Sequence, residues 1–393
     1  PPASPGASAG NPVNLVTGNK YERRIDVVMP DPESGIREAL VHALGDDAVR
    51  VLAAHWPAFT PLELVFSRHY NSRFDIAGPM GPGWRHGFET ALARLKGRHG
   101  IELQVVQADG RRIVFRRPGP ESSAFHRAGA ESRFLSNRES DGEIEEGLDV
   151  AMPWRWRWPD GRVVSFDSEG RLARIDAPDH DHLVVQRDRA GRIRALVDGY
   201  GRQLQIEYLG KRLHALVLPD GNRVGYDYDR HGVLVAVRYP DGRVVRYGYD
   251  DPRAFHLLTS IGLPDGSTSR YRYDDALRVA ESAPASGPQD TVFLEYELPQ
   301  SAGAVGRTVV RQSDRSSTWQ WQVDDGGRER ILSMSGDRCT SCPVLDAASS
   351  PSAPPLHADA STDAGKAAPN VHPSMMQRSE PAIELKRDVF GLP

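Results

Sequence analysis

The tripeptide Pro-Asp-Gly recurs along the middle of the chain, at 159–161, 219–221, 240–242 and 264–266. Gly201, in YGRQLQIEY, precedes Gly221 by nearly the interval that separates Gly221 from Gly242, and APDHDHLVV fills the remaining gap near His180. Proline pre-sets φ at about −65°, and glycine accepts the positive φ that closes a type I turn with a G1 bulge. A second turn class is interleaved: FDSEGR, RDRAGR and YDRHGV, in which Gly170 and Gly191 repeat the interval between Gly221 and Gly242. Between turns lie β-branched and aromatic runs such as RVVRYGYD and VLVAVRY, about 6 to 8 residues long, the length of an ordinary strand. A period of about 20 to 24 residues is one β-hairpin, and about six fit between Trp154 and Asp275. The expected fold class is all-β, built of antiparallel hairpin repeats that pair into one curling sheet.

Composition narrows the alternatives. Of 393 residues, 39% are apolar and 26% charged, which excludes collagen, a wholly disordered chain and a disulfide miniprotein. The apolar run near residues 51–62 is too short for a membrane span and is broken by Pro57 and Pro61. A net charge of −4 leaves no basic footprint for nucleic acid. The 44 arginines against five lysines read as a codon bias. Two cysteines cannot build a disulfide framework or saturate a structural zinc by themselves.

Further stretches carry a resemblance. PDGRVVRYGYD, with its tyrosine-aspartate pair closing a strand, resembles the YD repeat of bacterial Rhs (rearrangement hot spot) proteins. GNPVNLVTGNKYERRIDVVMP, LELVFSRHYNSR and GPMGPGWRHGFE resemble the domain of unknown function that precedes those repeats. Two departures stand out. GIREALVHALGDDAVRVLAAHW is inserted after Pro30, with apolar Leu40, Val41, Leu44, Val49 and Leu52 at helical spacing. The ending RDVFGLP lacks the family's Asp-Pro-x-Gly-Leu element, so the segment that such proteins cleave and release is expected to be absent or to lie past Pro393. The resulting layout has a flexible linker over 1–9 and the N-terminal domain over 10–92, with a helical insertion at about 35–56. A β-rich connecting segment follows over 93–153, YD repeats over 154–280, degenerate repeat strands over 281–338 and a disordered tail over 339–393.

Candidate sites carry competing readings. Trp154, Trp156 and Trp158 alternate with arginine, so their indoles share one strand face. Such a row can stack on sugar rings or pack in a sheet; Trp319 and Trp321 repeat the spacing and favour packing. Asp179–His182 has metal-ligand composition but occupies a turn slot. The repeat residues Asp160, Gly161, Asp220, Gly221, Asp241, Gly242, Asp265 and Gly266 are read as turn formers. His69 and His86 have no serine or cysteine in a nucleophile-like context nearby. Cys339 and Cys342 leave three readings open: a local disulfide, half of a metal site, or a chance pair. No catalytic residue, metal ligand or cofactor is assigned.

The resemblance implies a shell that winds around a toxic C-terminal domain, with a small β-rich N-terminal domain as its plug. The expected function is a non-enzymatic scaffold that encloses and delivers a polymorphic toxin, secreted or at the cell surface of a bacterium and cytoplasmic before export. Its expected partners are the remaining shell repeats, a C-terminal toxin domain and a secretion-apparatus component, with neither nucleic acid nor a membrane span. The alternative is a surface or cell-wall protein that binds carbohydrate.

Overall fold

The same two backbone bonds close the turns of both classes. At Pro219-Asp220-Gly221 the Gly221 amide donates to Leu218 O at 2.9 Å and the Leu218 amide to Asn222 O at 2.9 Å. At Asp229–Val233 the Gly232 amide donates to Asp229 O and the Asp229 amide to Val233 O, both at 3.0 Å. The classes differ in where the aspartate sits. In Pro-Asp-Gly, Asp160, Asp220, Asp241 and Asp265 each accept the amide of the residue two further on, at 2.9–3.1 Å. The following glycines, Gly161, Gly221, Gly242 and Gly266, have φ of +85° to +89°. In the other class the aspartate opens the turn, and Asp229 Oδ1 accepts the amides of both His231 and Val233.

This computed structural model describes residues 8–10, 12–30, 32, 62–74, 77–97, 100–119, 132–178, 181–301, 303–323, 329–339 and 342. The insertion expected at about 35–56 lies outside them, as do Asp179 and His180, residues 1–7 of the linker expected over 1–9, and the tail expected over 339–393 apart from Cys339 and Cys342. Among the described residues there is no α-helix.

A short pair, β1 (Ser8–Ala9) and β2 (Val13–Asn14), precedes a three-stranded antiparallel sheet of β3 (Tyr21–Met29), β4 (Leu64–Asn71) and β5 (Trp84–His86). A single ribbon follows. It opens with β6 (Ala91–Gly97), β7 (Gly100–Val106), β8 (Arg112–Arg116), β9 (Arg133–Leu135) and β10 (Glu143–Glu146). It continues through β11 (Trp154–Arg157), β12 (Val163–Phe166), β13 (Leu172–Asp176), β14 (His182–Arg187), β15 (Ile193–Asp198) and β16 (Gln203–Leu209). Then come β17 (Arg212–Val217), β18 (Arg223–Tyr228), β19 (Leu234–Arg238), β20 (Val244–Gly248), β21 (Ser260–Gly262) and β22 (Thr268–Tyr273). The last strands are β23 (Val279–Ala283), β24 (Val292–Glu297), β25 (Gly306–Gln312), β26 (Arg315–Val323) and β27 (Glu329–Gly336).

Each strand from β6 to β27 pairs antiparallel with the next, so the expected sheet of hairpins extends on both sides of residues 154–280. The ribbon curls enough that β6 meets the β12–β13 turn: Leu92 N–H donates to Gly170 O at 2.8 Å. A Cβ on Gly170 would stand 1.9 Å from Leu92 O, so this position needs glycine for the approach as well as for φ. Among the described residues β27 has a strand partner on one side only.

Tyrosines lock the hairpins. The hydroxyls of Tyr208, Tyr228, Tyr249 and Tyr273 donate to the carbonyls of Ile193, Leu213, Leu234 and Leu258, each fifteen residues earlier, at 2.8–3.0 Å. Tyr296 does the same to Val279 O at 2.8 Å. One ring at the end of the second strand thus ties the start of the first. The outer face carries cross-strand ion pairs, including Arg157–Glu145 at 2.9 Å, Arg223–Glu207 and Arg311–Glu295. Exposed pairs of this kind contribute about 0–1 kcal/mol each.

Gly242 has φ +85° and no atom within 4 Å of a built Cβ, so only backbone strain opposes a side chain there. Gly242→Val is expected to cost about 1–2 kcal/mol, read as a lower denaturant midpoint at unchanged slope. An unchanged midpoint would contradict the left-handed assignment.

Candidate functional site

Strand β4 is buried along its whole length, an arrangement that requires cover on both faces of the three-stranded sheet. One face packs into the concave side of the ribbon, and the two form one apolar cluster. Buried charge crosses this junction. Arg68 and Asp26, both with fully buried side chains, join through Arg68 Nε to the two carboxylate oxygens at 2.9 and 2.8 Å. Their remaining capacity is filled from the ribbon. Tyr226 and Tyr239 donate to Asp26 Oδ2 and Oδ1 at 2.7 Å each, and Arg68 Nη1 donates to Tyr247 OH at 2.5 Å. The guanidinium also lies 5.0 Å from the Trp84 ring and 5.1 Å from the Tyr247 ring. Burial opposes the charge on Arg68, yet Asp26 and the surrounding tyrosines more than offset it and raise its pKa. Burial, then Asp26, pushes Tyr226 well above the usual phenol range.

The contact is continued along the sheet. Tyr70 OH donates to His256 O at 2.8 Å and accepts the Leu258 amide at 2.9 Å, while Trp84 Nε1 donates to Tyr249 OH at 2.8 Å. Lys20 is buried against Glu22 at 2.8 Å and lies 4.5 Å over the Tyr271 ring. The segment before β3 reaches the far end of the ribbon: Gly18 O accepts the Val279 amide, Leu15 O accepts Thr308 Oγ1, and Asn14 Nδ2 donates to Glu329 Oε2 at 2.7 Å. Positions 315 residues apart in sequence are thereby tied together.

Sequence reasoning missed this centre. Its signal was the Tyr-x-Tyr pattern in GYDYD, YGYD and YRYD. The first tyrosine of each pair (Tyr226, Tyr247, Tyr271) meets a buried charged group, Asp26, Arg68 or Lys20. The second (Tyr228, Tyr249, Tyr273) closes its hairpin. Residues two apart on a strand share a face, so both serve the concave side.

The residues singled out from sequence are placed elsewhere. Trp154 and Trp156 are buried; Trp154 stacks edge-on to Phe134 and Trp156 to Phe115, with Trp156 Nε1 donating to Asp141 O at 2.7 Å. Trp158 is partly buried under Arg162, 4.4 Å from the ring. Trp319 and Trp321 are buried as well. Of Asp179–His182, the described Asp181 carboxylate accepts the amides of Leu62 and His182. Cys339 and Cys342 form a disulfide after β27, with Cys339 in the apolar cluster.

A serine stands beside His69 in space. Ser67 Oγ is 3.0 Å from Nε2, and Tyr21 OH is 2.8 Å from Nδ1. Ser67 and His69 are fully buried, so the set bridges strands inside the fold instead of facing a substrate. His86 stacks on Phe66 with ring centroids 5.1 Å apart, and its Nδ1 has no partner among the described residues. Burial, then Arg85, Arg187 and His69, lower its pKa to about 3.

Two outcomes follow. Arg68→Met leaves the Asp26 charge buried without its cation and is expected to cost about 3–5 kcal/mol; adding Asp26→Leu recovers most of the loss. Recovery of none would contradict the pair. His86 binds its proton less well folded than unfolded, so it costs nothing above about pH 6.5 and removes stability as pH falls toward about 3. The limiting slope is about 1.4 kcal/mol per pH unit. Glu89, whose pKa burial raises, works in the opposite direction. His86→Phe is therefore expected to flatten the fall of the unfolding midpoint between about pH 6 and 4. A profile unchanged by the substitution would contradict this.

Residues 42–115 match the family described as Domain of unknown function (DUF6531). The chain is 26% identical over 345 residues to Double-stranded DNA deaminase toxin A of Burkholderia cenocepacia (strain H111), covering 81% of this chain and 20% of that protein. It is 36% identical over 104 residues to Toxin protein Tse5 of Pseudomonas aeruginosa, covering 25% of this chain and 7% of that protein. A crystal structure of TcdB2-TccC3 without its hypervariable C-terminal region is similar with a TM-score of 0.32 and 11% identity, over 63% of this chain and 15% of that one. The chain thus spans about a fifth or less of the length of these curated relatives.

Proposed function

We propose that this chain is the plug and first wall of a larger bacterial toxin protein, a non-enzymatic scaffold of the Rhs kind that encloses a toxic polypeptide for delivery to competing bacteria. The observation that carries the reading is the Arg68–Asp26 junction, through which the chain's own N-terminal sheet fills the concave face of its ribbon. The sheet covers that face around Tyr226 and Tyr247, so in this proposal cargo lies against further strands of the larger protein. The named relatives are toxins, and this chain matches a minor share of each. Burial of Trp154 and Trp156 takes support from the carbohydrate-binding alternative, because neither indole offers a face to a sugar. Among the described residues no helix is long and apolar enough to cross a membrane. Export, a secretion-apparatus partner and a release step complete the proposal.

Expression of the full reading frame that encodes this chain, followed by native trypsin digestion, tests it. An enclosed toxic segment should survive intact and co-elute with the ribbon under conditions that degrade the same segment expressed alone. A frame that encodes a wall anchor, or a segment digested as fast as its free form, would overturn the proposal.

A further inference from the structure

Five turns open with an aspartate whose amide bonds the carbonyl four residues on: Asp167, Asp188, Asp198, Asp229 and Asp274. In four of them that fourth residue is an arginine paired with the aspartate. Arg171, Arg192, Arg202 and Arg278 sit 2.7–2.8 Å from their carboxylates. Two of these arginines also cover the tyrosine that locks the next hairpin, Arg192 lying 4.9 Å over Tyr208 and Arg278 lying 4.8 Å over Tyr296. Aspartate, guanidinium and tyrosine ring form a recurring stack.

The Asp229 turn breaks the pattern. Its fourth residue is Val233, which is buried, with the Gly81 backbone close against it. The matching tyrosine is Tyr249, which bonds Leu234 O as Tyr208 bonds Ile193 O. Asp229 and Tyr249 instead line a concavity of about 700 Å³, together with Asp250, Phe255, His231 and Arg230. Among the described residues neither Asp229 nor Asp250 has a cationic partner. The neighbouring Asp251 is paired with Arg253 at 2.6 Å. Arg230 turns its Nε toward His231 Nε2 at 3.0 Å, and the His231 ring lies 5.7 Å from the half-exposed Phe255 ring. Two carboxylates against one rim guanidinium leave the pocket net negative, with aromatic walls that suit a planar cation.

We propose that the pocket between the Asp229 turn and the Asp250–Phe255 loop receives the arginine side chain of a partner polypeptide. The guanidinium takes the place that Arg192 and Arg278 occupy in their own hairpins, paired with Asp229 and stacked on Tyr249, with Asp250 and Phe255 enclosing its outer edge. The partner therefore presents an arginine on an extended, exposed segment. This inference is independent of the scaffold reading.

The test titrates the full 393-residue chain with a capped Gly-Ser-Gly-Arg-Gly-Ser-Gly peptide by ligand-observed NMR, beside its citrulline and lysine counterparts. The arginine peptide is expected to bind at least fivefold more tightly than either counterpart. Asp229→Asn, which keeps the oxygen that caps the turn, and Asp250→Asn should each weaken binding at least fivefold at an unchanged melting midpoint. Should Asp229→Asn lower that midpoint, Asp250→Asn decides alone. Equal binding of the citrulline or lysine peptide, or undiminished binding by Asp250→Asn, overturns the proposal. So does sedimentation showing that these variants abolish self-association of a chain that ignores the peptide, since the occupant would then be a second copy.

Discussion

A buried ion pair that neither of its own strands can satisfy holds this molecule to one arrangement. Arg68 and Asp26 lie on adjacent strands of a sheet far too small to shield them, and removing two charges from water is costly unless every donor and acceptor is met. Three hydroxyls from strands or turns between 179 and 213 residues further along the chain meet them. The N-terminal sheet is therefore incomplete without the ribbon. The ribbon's concave tyrosines, in turn, are buried by the sheet. Hydrophobic contact alone would tolerate sliding between two curved surfaces, whereas the charged centre fixes one register.

The ribbon brings its own local logic. A strand pair gains little stability in isolation. Here many of the hairpin turns are set by glycine and aspartate, and in five hairpins a tyrosine-to-carbonyl bond ties the other end. The regular spacing of these devices lets one sequence rhythm lay down a sheet that curls until β6 touches the β12–β13 turn. Where the rhythm slips, local strain is accepted. Leu277 takes the turn position that Gly170, Gly191 and Gly232 hold elsewhere, with φ +58°, and there Gly18 of the N-terminal segment bonds the following strand.

The hairpins were legible because their chemistry is local. Pro-Asp-Gly and Asp-x-x-Gly state a positive φ within three or four residues, and the strands between them can do little else. The Tyr-x-Tyr-Asp pattern was visible as a period, but not the division of labour within it, since that depends on which face the N-terminal sheet covers. Asp26 and Arg68 were silent for a different reason. They are 42 residues apart, and nothing in RRIDVVM or VFSRHYN distinguishes a buried charge from a solvated one. The tryptophan row could be read either way, because alternation fixes a shared face without saying whether that face is covered. The cysteine pair was equally ambiguous: spacing permits a disulfide but does not select it over a ligand pair.

The claim that sheet and ribbon form one cooperative unit through this centre is open to a direct energetic measurement. A double-mutant cycle joins Asp26→Asn on the sheet with Tyr226→Phe on the ribbon, their side chains 2.7 Å apart and their positions 200 residues apart in sequence. Equilibrium unfolding of the four proteins should give a coupling energy of about 1–3 kcal/mol, within the range for groups in one hydrogen-bonded network. Additivity within about 0.5 kcal/mol, or separate unfolding transitions for sheet and ribbon, would contradict it.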